Sequence, residues 1–207
     1  MTGVLALGTA LVLGFLHALE VDHMVAVTAF VSRRPTVPAA LAFSIRWGLG
    51  HSLAVFTVGA ILLATGFSWP PSLSGVLEGA VGAALVAVGV WSLRTARNLH
   101  SHLPVEHGMH RHGITSVGLL HGLAGTSAIV ALIPVTLLHD SGLGLAYLAI
   151  FGVGVTAGMI VFSVVAAVAM GRAGGDSEVW SKRIAAGAGL GSMGVGLWWV
   201  GRVVFGG

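Results

Sequence analysis

The amino-acid sequence predicts an all-α integral membrane protein with six transmembrane helices arranged as two inverted three-helix repeats. Three observations predict this fold class: the composition, six long apolar runs and an internal repeat. Of the 207 residues, 56% are hydrophobic and only 8% are charged, whereas about 25% of the residues of an ordinary soluble domain are charged. The chain has no cysteine, which excludes disulfides, thiolate metal sites and thiol redox chemistry.

Six apolar runs are each long enough to cross the hydrocarbon core of a bilayer, which takes about 20 helical residues. The runs cover residues 2–31, 38–66, 73–95, 113–138, 143–170 and 183–205. Polar, glycine-rich or proline-rich stretches separate them. The first two runs exceed the thickness of the bilayer core, so we expect these two helices to be tilted, kinked or broken.

Basic residues indicate how the helices are oriented. Eight of the ten lysine and arginine residues fall in or beside the first, third and fifth connections, and the second and fourth connections have none. Cytoplasmic loops are enriched in basic residues. We therefore expect a protein of the cell inner (cytoplasmic) membrane with both termini outside the cytoplasm. The high isoelectric point is then explained by topology and does not indicate nucleic-acid binding. The expected partner is the lipid bilayer, and no nucleic acid.

An internal repeat relates the two halves of the chain at an offset of 104 residues. The segment "GFLHALEVDHMVAV" (14–27) aligns with "GLLHGLAGTSAIVA" (118–131), which matches His17 with His121. At the same offset "FSIRWGLGHS" aligns with "YLAIFGVGVT", and two pairs of glycines coincide. Each half holds three helices, an odd number, so the halves insert with opposite orientation, as in many secondary transporters.

The repeat predicts three regions: a first repeat at 1–98, a histidine-rich cytoplasmic loop at 99–112 and a second repeat at 113–207. The loop contains His100, His102, His107, His110, His112 and Glu106. Histidine-rich tracts bind divalent metals loosely, and this one could hand over, sense or collect metal ions. The alternative is a solvated linker without a role. Irregular spacing and the lack of cysteine exclude a structural zinc motif.

The first apolar run carries four polar groups within seven positions. They are His17, Glu20, Asp22 and His23. A charged side chain near the bilayer centre costs at least roughly 2.5–3.5 kcal/mol, and such residues usually face a cavity, a partner or an ion path. Two simpler explanations are a water-exposed loop after Leu19 and histidines that only fill hydrogen-bonded packing positions. The first leaves the apolar segment at 24–31 unexplained, and the second is weak for four polar groups.

Imidazole nitrogens and carboxylate oxygens together suit divalent nickel, cobalt and zinc ions. At about 100° per residue in a straight helix, His17 and Glu20 share one side, whereas Asp22 and His23 point elsewhere. One ion can therefore bind all four groups only if the helix unwinds around residues 19–22. Otherwise some of the groups bind the ion and the others orient them by hydrogen bonds.

A further histidine, His51, lies well inside the second run after "WGLG", whose glycines permit a close backbone approach. We expect it to bind the ion directly or to lie next to a ligand. Arg46 lies about one turn earlier, and we expect it to be a counter-ion for Asp22 or Glu20, or to extend to the cytoplasmic face.

The second half contributes one histidine to the candidate site, His121, which is the repeat mate of His17. The positions that correspond to the Asp-His pair of the first half are Thr126 and Ser127. Because the second half lacks the acidic group, we expect one metal site rather than two symmetric sites. The candidate metal-site residues are His17, Asp22, His23, His51, Glu20 and His121.

These motifs resemble those of a known family. His17, four residues and then Asp22-His23 resemble the His-x-x-x-x-Asp-His signature of the nickel/cobalt transporter family, and "LGHS" (49–52) resembles the Gly-His-Ser segment of its next helix. The segment "GLLHGLAGTSAIVALIP" resembles the corresponding helix of its short, six-helix members, the urease-accessory nickel permeases. The resemblance implies high-affinity nickel or cobalt transport without an ATPase subunit. It assigns metal-binding roles to His17, Asp22, His23 and, by position, His51.

Three classes of function are compatible with these features. The first is an uptake permease for Ni²⁺ or Co²⁺ driven by the membrane potential or an ion gradient, since a divalent ion gains roughly 4.6 kcal/mol per 100 mV on moving inward. The second is an exporter of the same ions that uses proton exchange, which a cytoplasmic histidine tract favours. Further candidate partners are cytoplasmic metallochaperones or other copies of the chain.

The third class is an intramembrane metallohydrolase. The chain lacks the His-Glu-x-x-His motif and a second cluster of carboxylates and histidines. We therefore do not expect an enzyme, nor a cofactor besides the transported ion.

Overall fold

A computed structural model of the chain describes residues 2–32, 34–66, 71–97, 111–123, 138, 140–174 and 178–205. The regular structure of these residues consists of α-helices, and they include no strand. The helices are α1 (Thr2–His17), α2 (Val21–Val31), α3 (Val37–Thr65), α4 (Pro71–Arg97), α5 (Arg111–Leu123), α6 (Ser141–Gly174) and α7 (Glu178–Phe205). The all-α prediction is confirmed for this part of the chain.

Several helices are long and apolar enough to cross a membrane. Among the described residues, three single helices have this length and composition, at Val37–Thr65, Ser141–Arg172 and Lys182–Phe205. Together α1 and α2 form a fourth, bent candidate. Large apolar side chains such as Leu53 and Leu197 are exposed on these helices, and helices that are apolar all round are typical of membrane spans. The chain is therefore a helical membrane protein.

The first predicted span is broken where its polar groups lie. α1 ends at His17, α2 begins at Val21, and the two helices are bent by 57°. Between them the N–H group of Glu20 donates to the carbonyl oxygen of His17, three residues earlier, at 3.0 Å. Bonds of this tight type end a helix. The expectation that the first helix is tilted, kinked or broken is confirmed. The break covers residues 18–20, close to the range 19–22 given by one of the two alternatives for the polar groups.

The helices of the two halves pack against each other. α6 packs against α1 and α3, α5 packs against α3, and α4 packs against α7. Glycines make these approaches close: a Cβ atom on Gly82 of α4 would lie 2.8 Å from the carbonyl oxygen of Gly196 on α7. Small residues permit such backbone approaches between membrane helices. Glycines at such contacts therefore serve helix packing.

The close contacts recur in pairs that are related by the 104-residue offset. The Gly14 backbone on α1 packs against the Phe151 backbone on α6, and the Gly118 backbone on α5 packs against the Trp47 backbone on α3. Residues 14 and 118 are separated by this offset, as are residues 47 and 151. The contact of α1 with α6 thus has a counterpart in the contact of α5 with α3.

Hydrogen bonds between hydroxyl groups and backbone show that α3 and α6 run antiparallel. The Ser44 hydroxyl bonds to the Ser163 hydroxyl at 2.6 Å. Two turns further along α3, the Ser52 hydroxyl donates to the carbonyl oxygen of Gly152 at 3.0 Å. As the residue number rises along α3, the number of the facing residue on α6 falls.

Some predictions fall outside the described residues. These are the histidine-rich segment at 99–112, apart from its last two residues, which begin α5, and the second half of the fourth apolar run with Thr126 and Ser127. The predicted spans at 73–95 and 113–138 begin within α4 and α5, but neither helix is among the candidate spans of the described chain. The six-span arrangement stays a prediction.

Candidate metal centre

The break between α1 and α2 lies at the centre of a buried group of histidines. His17 is the last residue of α1, and Asp22 and His23 lie in the first turn of α2. His51 joins them from α3, and His121 joins them from α5. We call His17, His23, His51 and His121 the histidine cluster. Each of these histidines is at most 4% exposed, and Asp22 is 6% exposed.

His23 occupies the middle of the histidine cluster. Its ring centroid lies 4.3 Å from that of His121, 4.7 Å from that of His17 and 5.3 Å from that of His51. The sequence predicted all four histidines as candidate site residues, and the structure brings them together from four helices. The cluster belongs to both halves of the chain, since His121 follows the central connection.

Two carboxylates lie behind the histidines and hydrogen-bond to them. Asp22 Oδ1 accepts from His23 Nδ1 at 3.2 Å and from its backbone N–H at 2.9 Å, and Asp22 Oδ2 accepts from His121 Nε2 at 3.1 Å. Glu20 Oε1 accepts from His17 Nδ1 at 2.9 Å. An ionised carboxylate only accepts hydrogen bonds, so with Asp22 and Glu20 ionised each of these ring nitrogens carries the proton. The carboxylates therefore orient the rings.

Several ring nitrogens of the histidine cluster are buried without a hydrogen-bond partner in the described chain. They are Nε2 of His17, Nε2 of His23 and both nitrogens of His51. Since the Nδ1 atoms of His17 and His23 are the donors, their Nε2 atoms present lone pairs when the rings are neutral. Buried polar atoms without partners are rare and call for an explanation. A metal ion bound by these lone pairs would supply one.

The spacing of these nitrogens suits one ion. Ligand nitrogens from His17, His23 and His51 lie within 4.8 Å of one another. Two nitrogens that bind a zinc-like ion at about 2.1 Å each are at most roughly 4.2 Å apart, so small ring rotations would bring all three onto one ion. A second group, from Asp22, His23 and His121, also lies within 4.8 Å.

The site is suited to a divalent cation of the nickel, cobalt or zinc type. Imidazole is a preferred ligand of these ions, and two carboxylates, when ionised, offset two positive charges. Histidine ligands commonly donate their second N–H to a carboxylate, which fixes the ring orientation. Asp22, which the sequence predicted as a metal-binding residue, has both of its oxygens engaged with histidines. Glu20 lies at the edge, with its side chain 37% exposed.

The two simpler explanations of the polar groups differ from the observed geometry. A water-exposed loop does not describe the site, because His17, Asp22 and His23 are buried. Hydrogen-bonded packing accounts for His121 and Asp22, but it leaves four ring nitrogens without partners in the described residues. Arg46 donates to the carbonyl oxygen of Ala42 at 3.3 Å, so its side chain points towards the start of α3. This direction fits the expected extension of Arg46 to the cytoplasmic face.

Two aromatic residues that sequence reasoning did not single out contact the histidine cluster. The Trp47 ring lies 5.6 Å from the His121 ring, and the Phe151 ring lies 5.8 Å from the His17 ring, measured between centroids. The repeat alignment contains a signal for this pair, because it places Trp47 over Phe151. Aromatic residues are common in apolar helices, so the sequence alone does not distinguish these two.

The sequence is similar to those of two known proteins over most of its length. It is 32% identical over 177 residues to a protein named "Urease accessory protein UreH" from Bacillus sp. (strain TB-90), an alignment that covers 79% of this chain and 75% of the relative. It is 28% identical over 150 residues to the "Putative nickel/cobalt efflux system" of Methanocaldococcus jannaschii, which covers 70% of this chain and 68% of the relative.

No family model matches the chain, and no solved structure matches it. The similarity to UreH nevertheless extends over most of both sequences. It agrees with the His-x-x-x-x-Asp-His signature that lies at the helix break. The chain therefore belongs to the nickel/cobalt transporter family, among the short permeases similar to UreH.

Proposed function

We propose that this protein is a secondary transporter that moves nickel or cobalt ions across the cytoplasmic membrane. The observation that carries the proposal is the set of buried imidazole nitrogens of His17, His23 and His51 that have no hydrogen-bond partner among the described residues. Broken helices near the midplane are the usual location of substrate ions in secondary transporters. Family membership agrees with this substrate, and so does the name of the relative from Methanocaldococcus jannaschii, a "Putative nickel/cobalt efflux system".

In the proposed site the ion is bound by the free nitrogens of His17, His23 and His51. Asp22 and Glu20 hold the rings in place and offset the charge of the ion. His121 donates to Asp22 from the second half, so a movement of one half against the other changes the hydrogen bonding of the site. Protons compete for the imidazole nitrogens, so affinity should weaken as the pH falls.

We also propose that six transmembrane segments form two inverted repeats. The support is the pairing of contacts at the 104-residue offset, Gly14 with Phe151 and Gly118 with Trp47. The antiparallel contact of α3 with α6, which are equivalent helices of the two halves, is what an inverted repeat requires. In this arrangement the odd connections are cytoplasmic and both termini are outside.

The proposed direction is uptake, because the membrane potential, negative inside, favours the entry of a divalent cation. The second candidate is efflux coupled to proton exchange. It is favoured by the name of the relative from Methanocaldococcus jannaschii, an efflux system. The histidine-rich segment at 99–112 would collect ions for export in that case.

A transport assay in vesicles tests the proposal. Purified protein is reconstituted, a membrane potential is imposed with a potassium gradient and valinomycin, and the entry of radioactive nickel is followed. We expect entry that depends on an inside-negative potential and is lost when His23→Ala replaces the central ligand. Entry that requires a proton gradient, independent of the potential, would support the exporter. Vesicles that neither bind nor move nickel or cobalt would contradict both.

A further inference from the structure

Two buried aromatic pairs flank the histidine cluster. Phe43 and Trp47 lie one turn apart on α3, with ring centroids 5.2 Å apart. Tyr147 and Phe151 lie one turn apart on α6. All four side chains belong to the hydrophobic core, and none is more than 6% exposed. Residues four positions apart share one face of a helix, so each pair forms a two-layer apolar barrier.

Each pair covers a histidine of the opposite half. Trp47, from the first half, packs on His121, and Phe151, from the second half, packs on His17. The 104-residue offset that relates the two halves converts one contact into the other, and it also converts Phe43 into Tyr147. The two barriers are therefore equivalent elements of the repeat.

The two pairs lie on opposite sides of the site along the axes of α3 and α6. Because α3 and α6 run antiparallel, with Ser52 facing Gly152, Tyr147 lies level with a part of α3 beyond Ser52. Phe43 lies near the other end of α3. At 1.5 Å per residue, Phe43 and Tyr147 are separated by about 20 Å along the helix axis. One pair thus closes the site towards the Val37 end of α3, and the other closes it towards the Thr65 end.

Each pair also contains one buried polar atom without a hydrogen-bond partner in the described chain. These atoms are Nε1 of Trp47 and the hydroxyl oxygen of Tyr147. Tryptophan and tyrosine side chains usually find a partner when buried. Water that enters when an aromatic pair moves apart would supply a hydrogen-bond partner. This lowers the free-energy cost of separating the pair. A small cavity lined by Trp47, His121 and Ala26 leaves space on this side.

We propose that Phe43–Trp47 and Tyr147–Phe151 are the two gates of the ion path. The inference rests on the proposed transport function. Each gate opens the histidine cluster to one face of the membrane while the other stays closed, and the described conformation has both closed. In the proposed topology the Phe43–Trp47 gate faces the cytoplasm, and the Tyr147–Phe151 gate faces outward.

The first test measures nickel release from the protein in lipid nanodiscs, in which both faces of the membrane are accessible. An impermeant chelator is tethered to beads, and the beads are coupled to one face at a time. The variants are Phe43→Ala and Tyr147→Ala, because neither ring contacts a histidine of the cluster in the described contacts. We expect each variant to release nickel at least roughly tenfold faster at one face, since removing a buried aromatic ring costs more packing free energy than a factor of ten requires. The two variants should act at opposite faces.

Matched controls separate gating from general loosening. Met159→Ala removes a fully buried side chain from α6 at about the depth of Phe43, and Leu148→Ala removes a buried neighbour of Tyr147. Both controls should release nickel at the wild-type rate. Release by the gate variants at the control rate, or acceleration of both at the same face, would overturn the proposal. The milder Phe43→Leu should show a smaller change at the same face as Phe43→Ala.

A second test does not depend on nickel. The wild-type chain has no cysteine, and Ala26 is fully buried and lines the cavity beside Trp47. In an Ala26→Cys protein we expect an impermeant thiol reagent to react at least roughly tenfold faster when Phe43→Ala is added, through loss of the same packing. An equal increase in the labelling rate when Met159→Ala is added instead of Phe43→Ala would overturn the proposed gate. Absence of nickel binding by the wild type would contradict the proposed function. The labelling experiment does not use nickel, so it would still test whether Phe43–Trp47 closes the site.

Discussion

At the scale of single residues, Asp22 links the two halves of the chain. One of its carboxylate oxygens accepts from His23, its neighbour in sequence, and the other accepts from His121, which lies 99 residues away. The sequence predicted Asp22 as a residue of the metal site, and its burial agrees with a position inside the protein. Its two hydrogen bonds to ring nitrogens favour a role in orienting the ligands.

Replacing Asp22 should weaken nickel binding without abolishing folding. Asp22→Asn keeps the shape of the side chain but removes its charge and makes one of its two polar atoms a donor, so it can no longer accept from both rings. Loss of such a partner typically lowers metal affinity about 10–100-fold. Titration calorimetry of the purified protein measures this change. Asp140→Asn, at an exposed aspartate, is the matched control, and an equal affinity in both variants would show that Asp22 is structural.

His51 should be needed for nickel and dispensable for folding. Neither of its ring nitrogens has a hydrogen-bond partner in the described chain, so His51→Ala removes no hydrogen bond seen there. Nickel at a hundredfold excess over its Kd stabilises the wild type by about 2.7 kcal/mol, and we expect His51→Ala to lose most of the resulting rise in Tm. Ser192→Ala removes a distant hydroxyl that donates a hydrogen bond to the carbonyl oxygen of Leu85. This control variant should keep the nickel-dependent rise in Tm. A full nickel-dependent rise in His51→Ala would exclude His51 as a ligand.

At the scale of helices, glycine positions decide which helices approach closely. Gly118 of α5 faces the Trp47 backbone, and a Cβ atom there would also lie 3.1 Å from the Trp47 Cα atom. Gly194 of α7 has nothing within 4 Å of its Cβ position. The two glycines share a helical conformation and differ in their surroundings. Only the first is required by packing.

A pair of alanine substitutions tests this distinction. Gly118→Ala should destabilise the protein by about 1–3 kcal/mol, because backbone atoms cannot give way without moving α3 from α5. Gly194→Ala should be neutral or stabilise by about 0.5–1 kcal/mol, since alanine favours the helix. Thermal unfolding of both variants in the same detergent compares them. Equal stability would mean that the α3–α5 contact tolerates a methyl group.

At the scale of the whole molecule, the proposed arrangement is a pair of inverted halves that meet at one site. The helices that carry the histidine cluster contact helices of the other half, because α6 packs on α1 and α3, and α5 packs on α3. A relative movement of the halves would therefore reshape the site and its two aromatic barriers together. This property is what alternating access requires of a transporter.

The orientation of the molecule in the membrane can be tested with introduced cysteines. Val105→Cys falls in the predicted cytoplasmic loop, outside the described residues, and Ser141→Cys lies at the exposed start of α6. An impermeant thiol reagent added to intact cells should label Ser141→Cys and leave Val105→Cys unlabelled, since basic loops stay in the cytoplasm. Disruption of the cells should make both reactive. The opposite labelling pattern would reverse the proposed topology.

The sequence by itself determined the helical membrane class, the approximate helix bounds and the polar group in the first span. It also indicated the related helices of the two halves. These properties follow from local composition and period, because a bilayer rewards long apolar helices wherever they occur in a chain. The sequence also predicted a tilted, kinked or broken first helix, since its apolar run exceeds the thickness of the bilayer core. A break at the polar groups was one of two alternatives that helical geometry left open.

Only the tertiary structure decided which ring nitrogens of the site lack a hydrogen-bond partner within the described part of the chain, and which side chains surround them. Asp22 appeared in the sequence as one more ligand, and the structure places it behind His23 and His121. In the sequence Trp47 is one apolar residue among many, and only the structure shows its ring against His121. The physical reason is that hydrogen bonds and ring contacts act over a few ångströms between residues that are far apart in the chain. Composition and periodicity carry no information about such distances.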